Sequence, residues 1–237
     1  MKKINIGITM GDPAGIGPEI ILKTLENKDK FNSNFYLQIF GSKKILEFYN
    51  NLLDINMDLT KNNIFEIIDI DNDFENLNIG ETLGVYGEES IKYIKKCYEY
   101  IEAKKTDVMV TCPISKEAIA LGGFDVKGHT DFLAEISSTN KYQMILTNDF
   151  LRVALVTTHI PLKEVFSNIT EGKVLDKILL FNDFLKNYEN IDAPKIAVAA
   201  LNPHAGDGGI LGDEEKEILA AIEKAKANNI NVEGPLV

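Results

Sequence analysis

Three histidines carry most of the chemistry legible in this 237-residue chain. His129 stands in Lys127-Gly128-His129-Thr130-Asp131-Phe132, at the expected start of a helix. His159 stands in Val156-Thr157-Thr158-His159-Ile160-Pro161, just past a strand-like run. His204 stands in Leu201-Asn202-Pro203-His204-Ala205-Gly206-Asp207-Gly208-Gly209, again just past one. A lone histidine is more often structural than a ligand. Here all three fall where an α/β sheet presents its ligand contacts, and neutral imidazole is a common donor to zinc and other divalent ions. Two imidazoles are too few for a closed metal site, so an ion at His159 and His204 needs further partners. His129 with Thr130 reads differently. Helix-terminal N–H groups, a hydroxyl and an imidazole together make a phosphate cradle. The plainer alternative is that Thr130 caps the helix, with Lys127 either adding positive charge or remaining a solvated loop lysine.

Other segments offer weaker chemistry. Gly11-Asp12-Pro13-Ala14-Gly15-Ile16-Gly17-Pro18-Glu19 is either a tight strand-to-helix turn or a loop whose N–H groups approach a ligand. It fits neither common nucleotide pattern: position 20 is isoleucine where a dinucleotide fingerprint wants glycine or alanine, and no Gly-Lys-Ser/Thr follows. Lys116, in Thr111-Cys112-Pro113-Ile114-Ser115-Lys116, reads as an anion contact or, preferably, as a lysine on an exposed helix. Cys112 has no base nearby in sequence and is not expected to be a nucleophile. Asp213-Glu214-Glu215 opens a helix, where carboxylates suit the dipole, and reads as structural.

The elements that must position these residues alternate. Strands are expected at Ile4–Thr9, Phe35–Phe40, Ile64–Ile70, Val108–Thr111, Met144–Leu146, Val153–Thr157 and Ile196–Ala200. Helices are expected at Gly17–Leu25, Lys43–Leu53 capped by Ser42, Tyr86–Lys104, Lys116–Leu121 capped by Ser115, Lys173–Asn187 and Asp213–Asn228. On the long Tyr86–Lys104 helix the expected buried stripe is Ile91, Ile94, Tyr98 and Ile101. Such alternation implies an α/β fold with a largely parallel sheet, ligands sitting beyond the carboxyl ends of its strands.

Composition narrows the partners. The chain is 45% hydrophobic and 26% charged, an ordinary globular balance. A formal net charge of −11 disfavours nucleic acid or an anionic membrane as partner, and no run is long enough to span a bilayer. A small anionic substrate then needs a locally positive site. Arg152 is the only arginine, so that site must use lysine, histidine or backbone N–H groups. Two cysteines without repeating spacing, Cys97 and Cys112, suggest a reduced, cytoplasmic protein.

Four segments in order, Gly11–Glu19, Gly128–Ala134, Arg152–Leu162 and Leu201–Gly209, resemble motifs of the 4-hydroxythreonine-4-phosphate dehydrogenases. The resemblance covers essentially the whole chain. It implies a two-lobed fold like that of isocitrate and isopropylmalate dehydrogenases, with lobes at 1–127 and 128–237, the second carrying metal binding and dimerisation. It further implies a homodimer with the active site at the interface. The implied reaction is NAD-dependent oxidation and decarboxylation of 4-phosphooxy-L-threonine to 3-amino-2-oxopropyl phosphate, for pyridoxine 5′-phosphate synthesis. By motif, His159 and His204 match two of three metal-binding histidines, for zinc first and otherwise magnesium or cobalt. His129 and Thr130 match the substrate-contacting pair. No residue is assigned as general base, and none as an NAD contact.

The family's third metal histidine belongs to a Tyr-His-Asp-Gln-Gly type motif that lies beyond Val237. The resemblance therefore predicts a fold incomplete at its C-terminus, with unpaired strand edges, and a polypeptide inactive or nearly so by itself. Three alternatives remain: a dehydrogenase of 4-phosphorylated threonate or erythronate, an acyl–phosphate transferase of related architecture, and a non-catalytic remnant that only dimerises.

Overall fold

Alternate residues of the first strand face opposite ways, and that alternation organises the N-terminal part of the molecule. In the computed structural model, which describes residues 3–27, 34–70, 76–126 and 128–237, β1 (Ile4–Thr9) turns Ile6 and Ile8 toward one layer of helices and Gly7 toward Cys97 in another. The chain divides into two compact units, Met1–Ser138 and Thr139–Val237.

The first unit continues through α1 (Gly17–Glu26), β2 (Phe35–Gly41), α2 (Lys43–Leu52), β3 (Phe65–Asp69), α3 (Gly84–Glu102), β4 (Val108–Thr111), α4 (Lys116–Leu121) and α5 (His129–Ile136). The strands form one parallel sheet in the order β3-β2-β1-β4, with Ile8 registered against Ile39 on one side and Val110 on the other. The expected α/β class and parallel sheet are therefore present. Ile21, Leu22 and Leu25 of α1 and Ile45, Leu46 and Tyr49 of α2 recur at helical spacing and bury against Leu37, Ile39 and Phe65. Ser42 caps α2 by accepting from the Ile45 N–H, and Ser115 caps α4 by accepting from the Ala118 N–H, as their types and positions predict.

On α3 the buried stripe differs from expectation. Tyr93 and Cys97 are fully buried while Tyr98 and Ile101 are only half-buried, because the helix is enclosed by β1, β2 and α4 rather than by the sheet alone. Ile91 and Ile94 pack with Ile119 of α4 and Phe132 of α5. That cluster ties α5 into the first unit, and truncating Phe132 to alanine costs about 3–5 kcal/mol there. At the sheet's other edge position β4 has no second neighbour, and Val108 and Val110 are 44% and 49% exposed.

The second unit comprises an antiparallel hairpin, β5 (Ile145–Thr147) and β6 (Arg152–Ala154), then α6 (Leu162–Asn168), α7 (Glu171–Asn187), β7 (Ile196–Ala199), α8 (Glu215–Ala227) and β8 (Val232–Leu236). The last three make a β-α-β crossover in which β7 and β8 pair in parallel. Val174, Ile178 and Leu185 of α7 and Ile218, Ala221, Ile222 and Ala225 of α8 bury against Ile196 and Val232. The second strand of the hairpin ends at Ala154 instead of running to Thr157, since its pairing covers only three residues. Among the described residues no helix is long and apolar enough to cross a membrane.

Candidate functional site

Strand order 3-2-1-4 reverses direction between β1 and β4, and ligands in open parallel sheets sit outside the carboxyl ends of the strands at such a switch point. Two loops meet there. The Asp12 N–H donates to the Pro113 carbonyl at 2.9 Å, and the Cys112 N–H donates to the Thr9 carbonyl at 3.1 Å. Within the first loop, the Ala14 N–H donates to Asp12 Oδ1 at 2.9 Å and the Gly15 N–H to the Asp12 carbonyl at 3.1 Å. Gly11 adopts φ +72°, and a Cβ there would lie 2.2 Å from the Pro113 carbonyl oxygen. Of the two readings open for this loop, the tight turn is the one realised: three of its N–H groups are committed to its own chain. Burial raises the Asp12 carboxyl above its usual range, and its bond from Ala14 only partly offsets that. Burial, with Asp12, Glu19 and Tyr86 adding, pushes the nearby Tyr49 hydroxyl up to about 12, so it stays protonated and donates to the Gly15 carbonyl.

The loop after β4 leads into α4, and beyond α4 the chain returns at α5. The N-cap position of α5 is Gly128, and no side chain caps the helix. Thr130 is exposed and is not the cap, so that plainer alternative falls, and among the described residues no side chain caps the helix-terminal N–H groups. His129 is half-buried, and its Nε2 is buried with no hydrogen-bond partner among the described residues. Burial lowers the His129 imidazole below its ordinary value, which keeps it neutral near pH 7. The Lys116 side chain reaches this spot: its Cε lies 3.8 Å from where a Cβ on Gly128 would stand. Lys116 is exposed at the start of its helix, as preferred from sequence, and the fold also brings its side chain beside Gly128. Lys127 lies outside the described residues.

In the second unit, His159 and His204 follow β6 and β7 at equal depth. Val156, three residues before the one, and Leu201, three residues before the other, both pack against the α7–α8 core. Both histidines are exposed, and both adopt left-handed backbone, φ 55° and 54°. The His204 loop is the more strained. From His204 to Gly208 five successive residues have positive φ, and for His204, Ala205 and Asp207 this costs roughly 1–2 kcal/mol each. Strain of that size persists where the surroundings over-determine it. Here the surroundings are the start of α8. Glu215, 5% exposed, accepts from the Asn202 N–H at 2.7 Å and from the Leu201 N–H at 3.1 Å, while Glu214 accepts from the Asn202 side chain at 2.9 Å. The acidic Asp213-Glu214-Glu215 run is therefore more than a dipole partner. Its only sequence signal was its position directly after a glycine-rich segment.

Imidazole is a suitable donor type for a divalent ion, and His159 and His204 are exposed with no hydrogen bond or ion pair among the described residues. The set is partial: no group of three or more His, Cys, Asp or Glu side chains assembles as a metal cage among those residues. Arg152 is engaged internally, Nε and Nη2 both donating to Glu189 Oε2. Burial pushes the Cys97 thiol up to about 12 and the Cys112 thiol up to about 11, which removes both as nucleophiles at neutral pH.

Comparison with known proteins bears on the family and the fold. The model of the family described as pyridoxal phosphate biosynthetic protein PdxA matches residues 34–237. A 4-hydroxythreonine-4-phosphate dehydrogenase of Sulfurihydrogenibium sp. is 40% identical over 98% of this chain and 74% of that protein. A protein of Oceanobacillus iheyensis, provisionally named a D-threonate 4-phosphate dehydrogenase, is 38% identical over 99% of this chain and 74% of that protein. Among solved structures, a 4-hydroxythreonine-4-phosphate dehydrogenase from Klebsiella pneumoniae superposes with a TM-score of 0.86 at 30% identity, covering 99% of this chain and 74% of that one. A terephthalate 1,2-cis-dihydrodiol dehydrogenase from Burkholderia xenovorans shares the fold, with a TM-score of 0.67 at 21% identity over 99% of this chain and 74% of that one.

Proposed function

The chain belongs to the PdxA family of pyridoxal phosphate biosynthetic proteins, and from that premise we propose that it oxidises 4-phosphooxy-L-threonine with NAD. In the reaction the secondary alcohol loses a hydride to NAD and a proton to solvent. The resulting β-keto acid then loses carbon dioxide, leaving 3-amino-2-oxopropyl phosphate for pyridoxine 5′-phosphate formation. The observation that carries this reading is the uncapped start of α5, where His129 presents an unpartnered Nε2 and Lys116 lies alongside Gly128.

In this reading the substrate phosphate sits at the α5 N-terminus, where the helix dipole favours negative charge. Lys116 supplies local positive charge in a chain whose net charge is −11. Neutral His129 contributes a hydrogen bond without competing for a second charge, and Thr130 adds a hydroxyl. His159 and His204 would hold a divalent ion, zinc first and magnesium or cobalt otherwise, which when bound supplies Lewis-acid polarisation of the substrate oxygen. Further ion ligands come from outside these two residues.

A homodimer accompanies this reading. A three-pair hairpin is not stable on its own in water, yet β5 and β6 expose Leu146 and Val153, with Leu151 at 60% and Phe150 at 93% exposure between them. A second copy is the partner that this apolar surface fits. A cytoplasmic setting is consistent with two free, buried thiols.

A second substrate has a specific observation behind it: the Oceanobacillus relative is almost as similar as the first. A panel of 4-phosphooxy-L-threonine, threonate 4-phosphate and erythronate 4-phosphate, read by NADH formation and by calorimetric binding without NAD, separates them. Turnover or binding of the sugar acids alone would overturn the choice of the amino acid. Binding reports on substrate choice independently of turnover. Lys116→Met should weaken binding of the phosphorylated substrate roughly 10–100-fold and leave its unphosphorylated counterpart unchanged. An unchanged affinity would place the phosphate elsewhere.

A further inference from the structure

We infer that Glu215 is a positioning residue for His204, its carboxylate holding from below the left-handed loop that presents the imidazole. The geometry is specific. A carboxylate serving only the α8 dipole would point along the helix to its own first N–H groups. Glu215 instead reaches back across the loop: Oε1 accepts from the Asn202 N–H at 2.7 Å and the Leu201 N–H at 3.1 Å, and Oε2 lies 3.3 Å from the latter. These are the two residues immediately before Pro203 and His204, so their orientation sets where the left-handed turn begins.

The far end of the turn rests on the same side chain. A Cβ on Gly206 would lie 3.3 Å from Glu215 Cγ and 2.7 Å from the Gly212 carbonyl oxygen, and the Leu211 N–H closes back on the Gly206 carbonyl at 3.0 Å. Glu214 reinforces the entry by accepting from the Asn202 side chain. Both ends of a strained arc thereby meet one buried side chain, the entry at its carboxylate and the Gly206 end at its Cγ methylene. Groups that orient a metal ligand from behind typically change metal affinity 10–100-fold when removed.

The metal readout rests on the reading of His159 and His204 as ligands, whereas the holding of the loop does not, and the test separates the two. Cobalt(II) is titrated into metal-free protein and followed by its visible absorbance. Hydrogen exchange of residues 201–211 is measured in the same preparations by mass spectrometry. The variants are Glu215→Ala, Glu215→Gln, Glu217→Ala and His204→Ala. Glu217 shares the first turn of α8 but accepts from the Glu171 N–H rather than from the loop, so it controls for helix dipole and general stability.

Glu215→Ala should weaken cobalt binding about 10–100-fold, with Glu215→Gln, which keeps the shape and one acceptor oxygen, between it and the parent. Exchange in 201–211 should rise at least about tenfold in Glu215→Ala while α7 keeps its protection. Glu217→Ala should change neither. If Glu215→Ala does not fold, Glu215→Gln carries both measurements. Cobalt affinity that is the same in His204→Ala and the parent would sink the metal reading alone, and the exchange data would then decide the positioning role. Loop exchange in the Glu215 variants equal to that of Glu217→Ala would overturn the inference.

Discussion

Two glycine-rich loops follow parallel strands in this protein, one after β1 and one after β7, and they are held in different ways. The Gly11–Gly15 loop closes on itself and on Pro113, committing its N–H groups to its own chain. The Asn202–Gly209 loop also bonds internally, as a 3-10 segment in which the Ala205 N–H donates to the Asn202 carbonyl at 3.1 Å and the Leu211 N–H to the Gly206 carbonyl at 3.0 Å. It winds left-handed through five residues and is held from outside by Glu214 and Glu215. Compact self-satisfaction makes the first a fixed corner of the sheet, from which Ser115 and Lys116 are aimed. External bracing lets the second keep His204 exposed and unpaired at the cost of strain. A glycine-rich sequence after a strand is thus compatible with either a structural corner or a presented ligand. What discriminates them is whether side chains of a later element brace the loop from outside.

The sharpest way to break the comparison is to add a methyl group to each loop. Gly11→Ala places its Cβ 2.2 Å from a backbone carbonyl oxygen that cannot swing away, at φ +72°. The first unit should lose roughly 3 kcal/mol or more, a fall of about 10 °C in Tm by calorimetry. Near-parental melting would mean that the corner is not fixed. Gly206→Ala meets the Gly212 carbonyl oxygen at 2.7 Å and φ +74°, but in a loop with exposed neighbours. A smaller loss of about 1–2 kcal/mol is expected, concentrated in hydrogen exchange of the loop. Equal global destabilisation by the two substitutions would erase the distinction.

The smallest effect concerns His129, beside the position to which the first loop's neighbour aims Lys116. Burial holds this imidazole below its ordinary value near 6.5. The unfolded chain therefore takes up the proton first as pH falls. The stability associated with the neutral form is complete above about pH 6.5 and is lost as the pH drops through the folded value. Thermal melts between about pH 7.5 and 5.5 should show a steeper decline for the parent than for His129→Asn. Parallel curves would mean that the imidazole is solvated, and with it the cradle.

Much of the fold was legible because its signals are local. Ser42 and Ser115 announced helix starts through i to i+3 capping, and Ile91 and Ile94 marked part of the inner face of α3. Other elements lacked a local signal. α6 buries no residue fully and so shows no stripe, and β8 carries Gly234 and Pro235, which read as punctuation until β7 pairs with it. At the site, the three histidines and Thr130 stood out by type and by their place after strands or at a helix start. Glu215 and Lys116 did not, because an acidic helix start and a lysine on a short helix are ordinary on any surface.

Sequence alone determined the alternation of elements, the caps, the family motifs and the scarcity of arginine, all properties of residue type and short-range periodicity. Only tertiary structure decided that the first glycine loop is closed, that His129 Nε2 is buried without a partner, that Lys116 lies against Gly128, and that Glu215 braces the loop of His204. The physical reason is separation along the chain. A carboxylate 13 residues beyond the N–H it accepts from, or a lysine 12 residues before the glycine it lies beside, meets its partner only after the core has fixed both backbones. Propensity and spacing act over a few residues and cannot specify such encounters.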